Sequence, residues 1–274
     1  AAARWHHDAL PLCEERRMTL ALMAAMPEEL QALLPLLGAA RAHHHAGREF
    51  HRGRLDGREL VLVCSPPGAV AAATTATLLI ERFDAEAIVS TGVAGGLHPR
   101  VRIGDVVIAR ELLRRDALDA PLFVRTDAPA DGRARLLTDP ELGAALLDAA
   151  RAALEVERIV LAGSLALLGI AVPQVHEGPV LGGERAVAAE VERAALAGAW
   201  PDALAVDSDG AALAEVCHDC DLPFALLRCI ADRADEQAPG DRRRFVAQVA
   251  GPLVAAVVRA WLWRQDGGDF ARSG

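Results

Sequence analysis

The chain has 274 residues, 52% of them hydrophobic, 4% aromatic and none tyrosine, so its core must be aliphatic and Ala-rich. Its 38 acids against 29 bases leave a formal charge of −9, which repels a phosphate backbone and argues against nucleic acid as the main partner. No apolar run approaches the ~20 residues of a membrane helix, because Arg259 and the Trp263-Arg264 pair interrupt and close the greasiest late segment, residues 253–263.

Residues 1–17 lack the apolar stretch of a signal peptide. They read as an extension outside the fold, leaving a domain over 18–264, a tail over 265–274 and a cytoplasmic location as expectations. Thr19–Met26 reads as a buried strand. Pro27 suits the first turn of the helix that follows, where a missing N–H costs nothing. Leu30, Leu33, Leu34 and Leu37 give that helix an apolar stripe, and Pro35 stands ready to end it a turn early or bend it. His43-His44-His45 reads as a solvated loop. Arg48–Leu55 and Arg58–Ser65 flank Asp56-Gly57, a two-residue hairpin signal.

Gly68–Phe83 is Ala-rich and helical, and Ala87–Thr91 is a short central strand. Gly92–Gly96 reads as a permissive loop that lets a ligand approach the backbone. Val106–Ala109 is a further strand. From Glu111 to Thr138 the pattern thins into a loop or flap, whose Leu112, Leu113, Leu118, Leu122 and Phe123 suggest an apolar interface. Asp139-Pro140-Glu141 opens a helix to about Leu154, capped by Thr138 or Asp139. Strands are expected near Arg158–Ala162, Gly178–Leu181 and Asp202–Val206, and helices near Glu184–Ala197 and Gly210–Cys220. Strand Pro223–Ile230 and a last helix, Arg242–Trp263, complete the chain, with Pro252 expected to kink or split that helix. Strand–helix alternation makes this an α/β protein, expected as a single three-layer α/β/α domain around a central mixed sheet.

Chemistry concentrates just past the strands, where open α/β sheets bind ligands. Glu28 and Glu29 occupy a helix's first turn, either as dipole compensation or as a base. Arg228 interrupts an apolar run and needs a carboxylate or ligand partner; Asp232 is the nearest candidate. Asp207-Ser208-Asp209-Gly210 is a second acidic strand end, suited to helix capping or to gripping a sugar's vicinal hydroxyls. The five cysteines form no disulfide pattern, and Cys217-x-x-Cys220 has no second pair, so core packing explains it better than a metal or redox site.

Together these segments resemble the nucleoside phosphorylase/hydrolase superfamily, and within it the methylthioadenosine/S-adenosylhomocysteine nucleosidases. The resemblance rests on Ala24-x-Met26-x-Glu28-Glu29, on Thr91-Gly92-Val93-Ala94-Gly95-Gly96-Leu97 with Ile103-Gly104-Asp105, and on Asp232-x-Ala234-Asp235. It implies hydrolysis of a purine N-ribosidic bond without a cofactor or metal, in a homodimer. Glu29 would be the base, Asp232 the acid at N7, and Arg228 would steer water and sugar. Asp209, Ser208, Val93, Ala94, Gly95, Ala186 and Val187 would line the substrate. The chain departs from the family pattern at Asp209 (Glu expected), Ser208 (Met), Val93 (Ser), Ala231 (Ser) and Ala186 (an aromatic). A catalytically impaired nucleoside-binding or scaffold homologue and a phosphate-dependent phosphorylase are the alternatives.

Overall fold

The computed structural model describes residues 19–55, 57–115, 135–183, 187, 189–232 and 243–265. The expected extension, residues 266–274 of the expected tail, Asp56, Leu118, Leu122, Phe123 and Ala186 lie outside them. The fold follows the alternation in the sequence. Strand β1 (Leu20–Ala24) lies between β4 (Arg58–Cys64) and β5 (Ala87–Thr91), parallel to both. All five residues of β1 and of β5 are buried, as expected where helices cover both faces of a parallel sheet. Neighbouring side chains serve opposite layers. Val89 and Leu227 pack with α1 (Pro27–Leu33), α3 (Pro140–Val160) and α7 (Gly251–Gln265). Ile88 and Leu226 pack with α2 (Ala69–Phe83) and α6 (Gly210–Asp219).

The hairpin of β3 (Arg48–Leu55) with β4 forms as expected, Gly57 supplying the positive φ of 83°. Pro35 ends α1 at Leu33, and a 3₁₀ turn, Leu34–Leu36, follows. Pro252 does not split the helix: it sits at the second position of α7 within the unbroken helical stretch Arg243–Trp263, just after a π-helical turn, Val246–Ala250. The helical stretch Arg243–Trp263 is long and apolar enough to cross a membrane, unlike the sequence reading, but most of it is buried inside the fold.

Several expectations are corrected. The histidine run is not a loop but the end of edge strand β2 (Gly38–His45), with His43 and His45 edge-on to Phe83. Gly92–Gly96 is mostly strand β6 (Val93–Gly96), and β7 (Val106–Arg114) runs five residues past its expected end. Leu112 and Leu113 are therefore core, not an interface. Arg158–Ala162 is helical: α3 runs to Val160 and α4 (Ala162–Leu167) follows, with Ile159 and Val160 exposed. Their β-branched side chains favour strands, but the buried stripe Leu146, Ala149, Ala150 and Ala153 carries the helix through. Cys217 is core, whereas Cys220 caps α6 in solvent.

Strand β11 (Phe224–Asp232) organises the site. It pairs in turn with β5, then antiparallel with β7, then with β6. Strand β6 pairs with β10 (Ala205–Asp207), β10 with β9 (Val175–Gly182), and β9 with β7. These five strands close into a small barrel, so the sheet curls at its middle instead of remaining an open layer. Arg228 sits where β11 leaves β5 for the barrel.

Candidate active site

Glu29 is the third residue of α1, and its carboxylate turns back over the helix entrance. One oxygen, Oε2, accepts the backbone N–H groups of Ala25 (3.1 Å) and Met26 (3.3 Å), as acids at this position often do. The other, Oε1, is buried and accepts no hydrogen bond among the described residues. Glu29 is 0% exposed. Burial pushes its carboxyl up to about 7, against the pull of Arg228 and the two backbone bonds.

Arg228 is also 0% exposed, and each nitrogen of its side chain donates at least one hydrogen bond. Nε donates to Asp207 Oδ2 (2.9 Å), Nη2 to Asp209 Oδ1 (3.2 Å), and Nη1 to Ser90 Oγ (3.0 Å) and the Leu227 carbonyl (3.1 Å). Among the described residues these bonds go to Asp207, Asp209, Ser90 and Leu227 rather than to Asp232, which sequence proximity had suggested. Burial alone would lower the Arg228 pKa, but Asp209, Asp207 and Glu29 outweigh it and hold the guanidinium charged. Burial pushes the Asp207 carboxyl up, against the pull of Arg228. Asp207 also caps α6, its Oδ1 accepting the Gly210 N–H at 3.2 Å.

Gly92 makes this packing possible. A Cβ there would stand 3.0 Å from Ala25 Cβ and 3.3 Å from Arg228 Nη1, so the guanidinium lies against bare backbone. Val93 and Ala94 follow in β6, buried beside Cys229 and Ile230. Gly95 is paired with Asp232, the last residue of β11, which is half-buried. Ser208 is half-buried between Asp207 and Asp209. Val187 packs with Leu181, Trp200 and Val206 at the barrel wall.

The fold thus brings Glu29, Arg228 and Asp209 together, and Asp232 ends the strand that carries Arg228. Asp207 and Ser90 are the partners that sequence reasoning did not assign. Their only local signal is polarity at the ends of otherwise apolar strands. A cavity of about 620 Å³ lined by Ile103, Leu168, Ile170, Ala231 and Phe245 holds none of these carboxylates, so cavity size does not locate the chemistry. Among the described residues, no group of three or more His, Cys, Asp or Glu is arranged to hold a metal ion.

Residues 19–262 match the profile of the phosphorylase superfamily. A 5′-methylthioadenosine/S-adenosylhomocysteine nucleosidase from Bacillus cytotoxicus is 32% identical over 234 residues, covering 85% of this chain and 94% of the relative. The nucleosidase from Colwellia psychrerythraea, solved in complex with adenine, superposes with a TM-score of 0.75 at 27% identity, covering 90% of this chain and 95% of that one. The S-adenosylhomocysteine nucleosidase from Streptococcus pyogenes, in complex with 5-methylthiotubericidin, gives 0.74 at 28% identity, covering 92% and 99%. By its profile match and its relatives together, the chain belongs to the 5′-methylthioadenosine/S-adenosylhomocysteine nucleosidase family of the phosphorylase superfamily.

Proposed function

We propose that this protein hydrolyses the N-ribosidic bond of a purine nucleoside of the methylthioadenosine or S-adenosylhomocysteine type, releasing the free base. The buried cluster of Glu29, Asp207 and Asp209 around Arg228 carries the reading. Three carboxyl groups against one guanidinium suit a site that stabilises positive charge. The ribosyl centre gains such charge as the bond to nitrogen breaks.

In this reading Glu29 takes a proton from water through Oε1 and the resulting hydroxide bonds to C1′. The C1′–N9 bond breaks with its electron pair going to the purine, and Asp232 delivers a proton to N7. Arg228, bonded to Asp207 and Asp209, positions the water and the sugar. Val93, Ala94, Gly95 and Val187 would line the base and sugar. Phosphate is a poor alternative nucleophile, because the Glu29 carboxylate would repel it.

Incubation with 5′-methylthioadenosine and with S-adenosylhomocysteine, each with and without phosphate, tests this. Free adenine should appear at the same rate in both conditions. No release, or release only with phosphate, would overturn the reading. Since a base must be unprotonated, kcat should rise with pH through about 7, the value to which burial raises Glu29; a profile flat from pH 5.5 to 8 would remove Glu29 from that role. Asp232→Asn should lower kcat by about 10²–10⁴-fold with little change in KM, because N7 gains its proton chiefly in the transition state. The homodimer expected from the resemblance would appear in sedimentation at micromolar concentration.

A further inference from the structure

Glu29 Oε1 and the Thr91 hydroxyl are both buried without a hydrogen-bond partner among the described residues. Both residues are 0% exposed, and buried polar groups in that state are rare. Strand order and register place the two together. Ala24 of β1 is paired with Cys64 of β4 on one side and with Thr91 of β5 on the other. The Cys229 N–H of β11 donates to the Gly92 carbonyl at 2.8 Å, next to Thr91. Side chains alternate along a strand, so Thr91 shares the face of Val89, which packs with Ala24, Cys64, Cys229 and α1 residues Leu30 and Leu33. Ser90 points the other way, to Arg228.

The Glu29 carboxylate stands over this row. Its Oε2 accepts the Ala25 N–H at 3.1 Å, one residue past Ala24. Burial pushes the thiols of Cys64 and Cys229 up, and the Glu29 charge pushes both further. Those two thiols flank Ala24 and Thr91 in the sheet order β4-β1-β5-β11.

Resting on the nucleosidase reading, we infer that Thr91 is a positioning residue for Glu29: one buried water accepts from its hydroxyl and donates to Oε1. A buried water needs two or more polar partners, and these atoms are a donor and an acceptor. A hydrogen bond donated to a carboxylate favours its ionised form, the form a base requires. An oxygen with two lone pairs accepts this water and still takes a proton from the attacking one. The other charges around Glu29 are Arg228 on β11, Asp209 at the start of α6 and Glu28 on α1, and a substitution at Thr91 changes none of them.

Measurement of kcat and KM for 5′-methylthioadenosine from pH 5.5 to 8.5 tests this in wild type, Thr91→Val and Thr91→Ser. Valine keeps the shape and removes the hydroxyl. It should move the rising limb of kcat up by about one pH unit, a loss of about tenfold at pH 6, with KM unchanged. Serine should keep the wild-type limb. An unmoved limb in Thr91→Val overturns the inference whether or not kcat falls, and so does a serine variant that behaves like valine. If Thr91→Val does not fold, Thr91→Ser against Thr91→Ala makes the same comparison, since that pair differs only in the hydroxyl. A wild type that releases no adenine overturns the nucleosidase reading, and thermal melts then decide the link to Glu29. A carboxyl raised on folding loses its stabilising contribution as pH rises through the folded value. Thr91→Val, by raising it further, should lose more Tm than wild type between pH 5 and pH 8; equal losses overturn the link.

Discussion

Replacing Arg228 by Met should destabilise the fold by about 3–5 kcal/mol at neutral pH, the usual cost of removing one partner from a buried ion pair. The guanidinium is the hydrogen-bond donor to Asp207 Oδ2, Asp209 Oδ1 and Ser90 Oγ at once. Methionine fills similar volume but removes the donor that those oxygens share. The loss should shrink as pH falls toward 5, because Asp207, already raised by burial, rises further without Arg228 and takes up a proton. Urea midpoints of wild type and variant at pH 7.5 and pH 5 measure both effects. Adding Asp207→Asn to the variant should recover part of the loss, which a double-mutant cycle would read as coupling. A variant within 1 kcal/mol of wild type at pH 7.5 would mean that the cluster is not a structural keystone.

Glu29→Gln should separate activity from stability. Turnover should fall by about 10²–10⁴-fold, the typical contribution of a general base, while the amide oxygen still accepts the Ala25 and Met26 N–H groups. Stability should change in the opposite sense. The folded carboxyl is raised from 4.5 to about 7, so the stability that its protonated form contributes is fully present below 4.5 and lost as pH rises through 7. That shift corresponds to about 3 kcal/mol. The variant, which cannot ionise there, should therefore gain Tm over wild type between pH 5 and pH 8. Thermal melts across that range, beside adenine-release assays, check both halves. Equal Tm differences at pH 5 and pH 8 would show that Glu29 is not held protonated by its surroundings.

Glu29 and Arg228 were legible before any coordinates, for different reasons. Arg228 is a charge inside an apolar run, so it had to be buried and needed an answer from elsewhere in the fold; Glu29 was legible as an acid on a helix's first turn just past a strand, whereas its burial was not. Asp209 and Asp232 were legible as acids just past strand ends, and Gly92 as a residue that lets groups approach the backbone. The partners were harder to see. Asp232 stood four positions from Arg228 and looked adequate, whereas the guanidinium is answered from Asp207 at the end of β10 and Asp209 at the start of α6, 21 and 19 positions earlier, and from Ser90, 138 positions earlier.

The sequence by itself determined the strand–helix alternation, the helix starts at Pro27 and Asp139, the hairpin at Gly57 and the family, because these depend on local periodicity, capping and short motifs. Only the tertiary structure decided that the glycine stretch is a barrel strand, that β7 carries Leu112 and Leu113 into the core, and that Ile159 and Val160 extend a helix. Periodicity reports that a residue is buried, but not which strand lies beside it. That depends on strand order and register, which join β5, β10 and β11 around Arg228. The demand of a buried guanidinium for acceptors is written locally; the supply is set by the closing of the barrel.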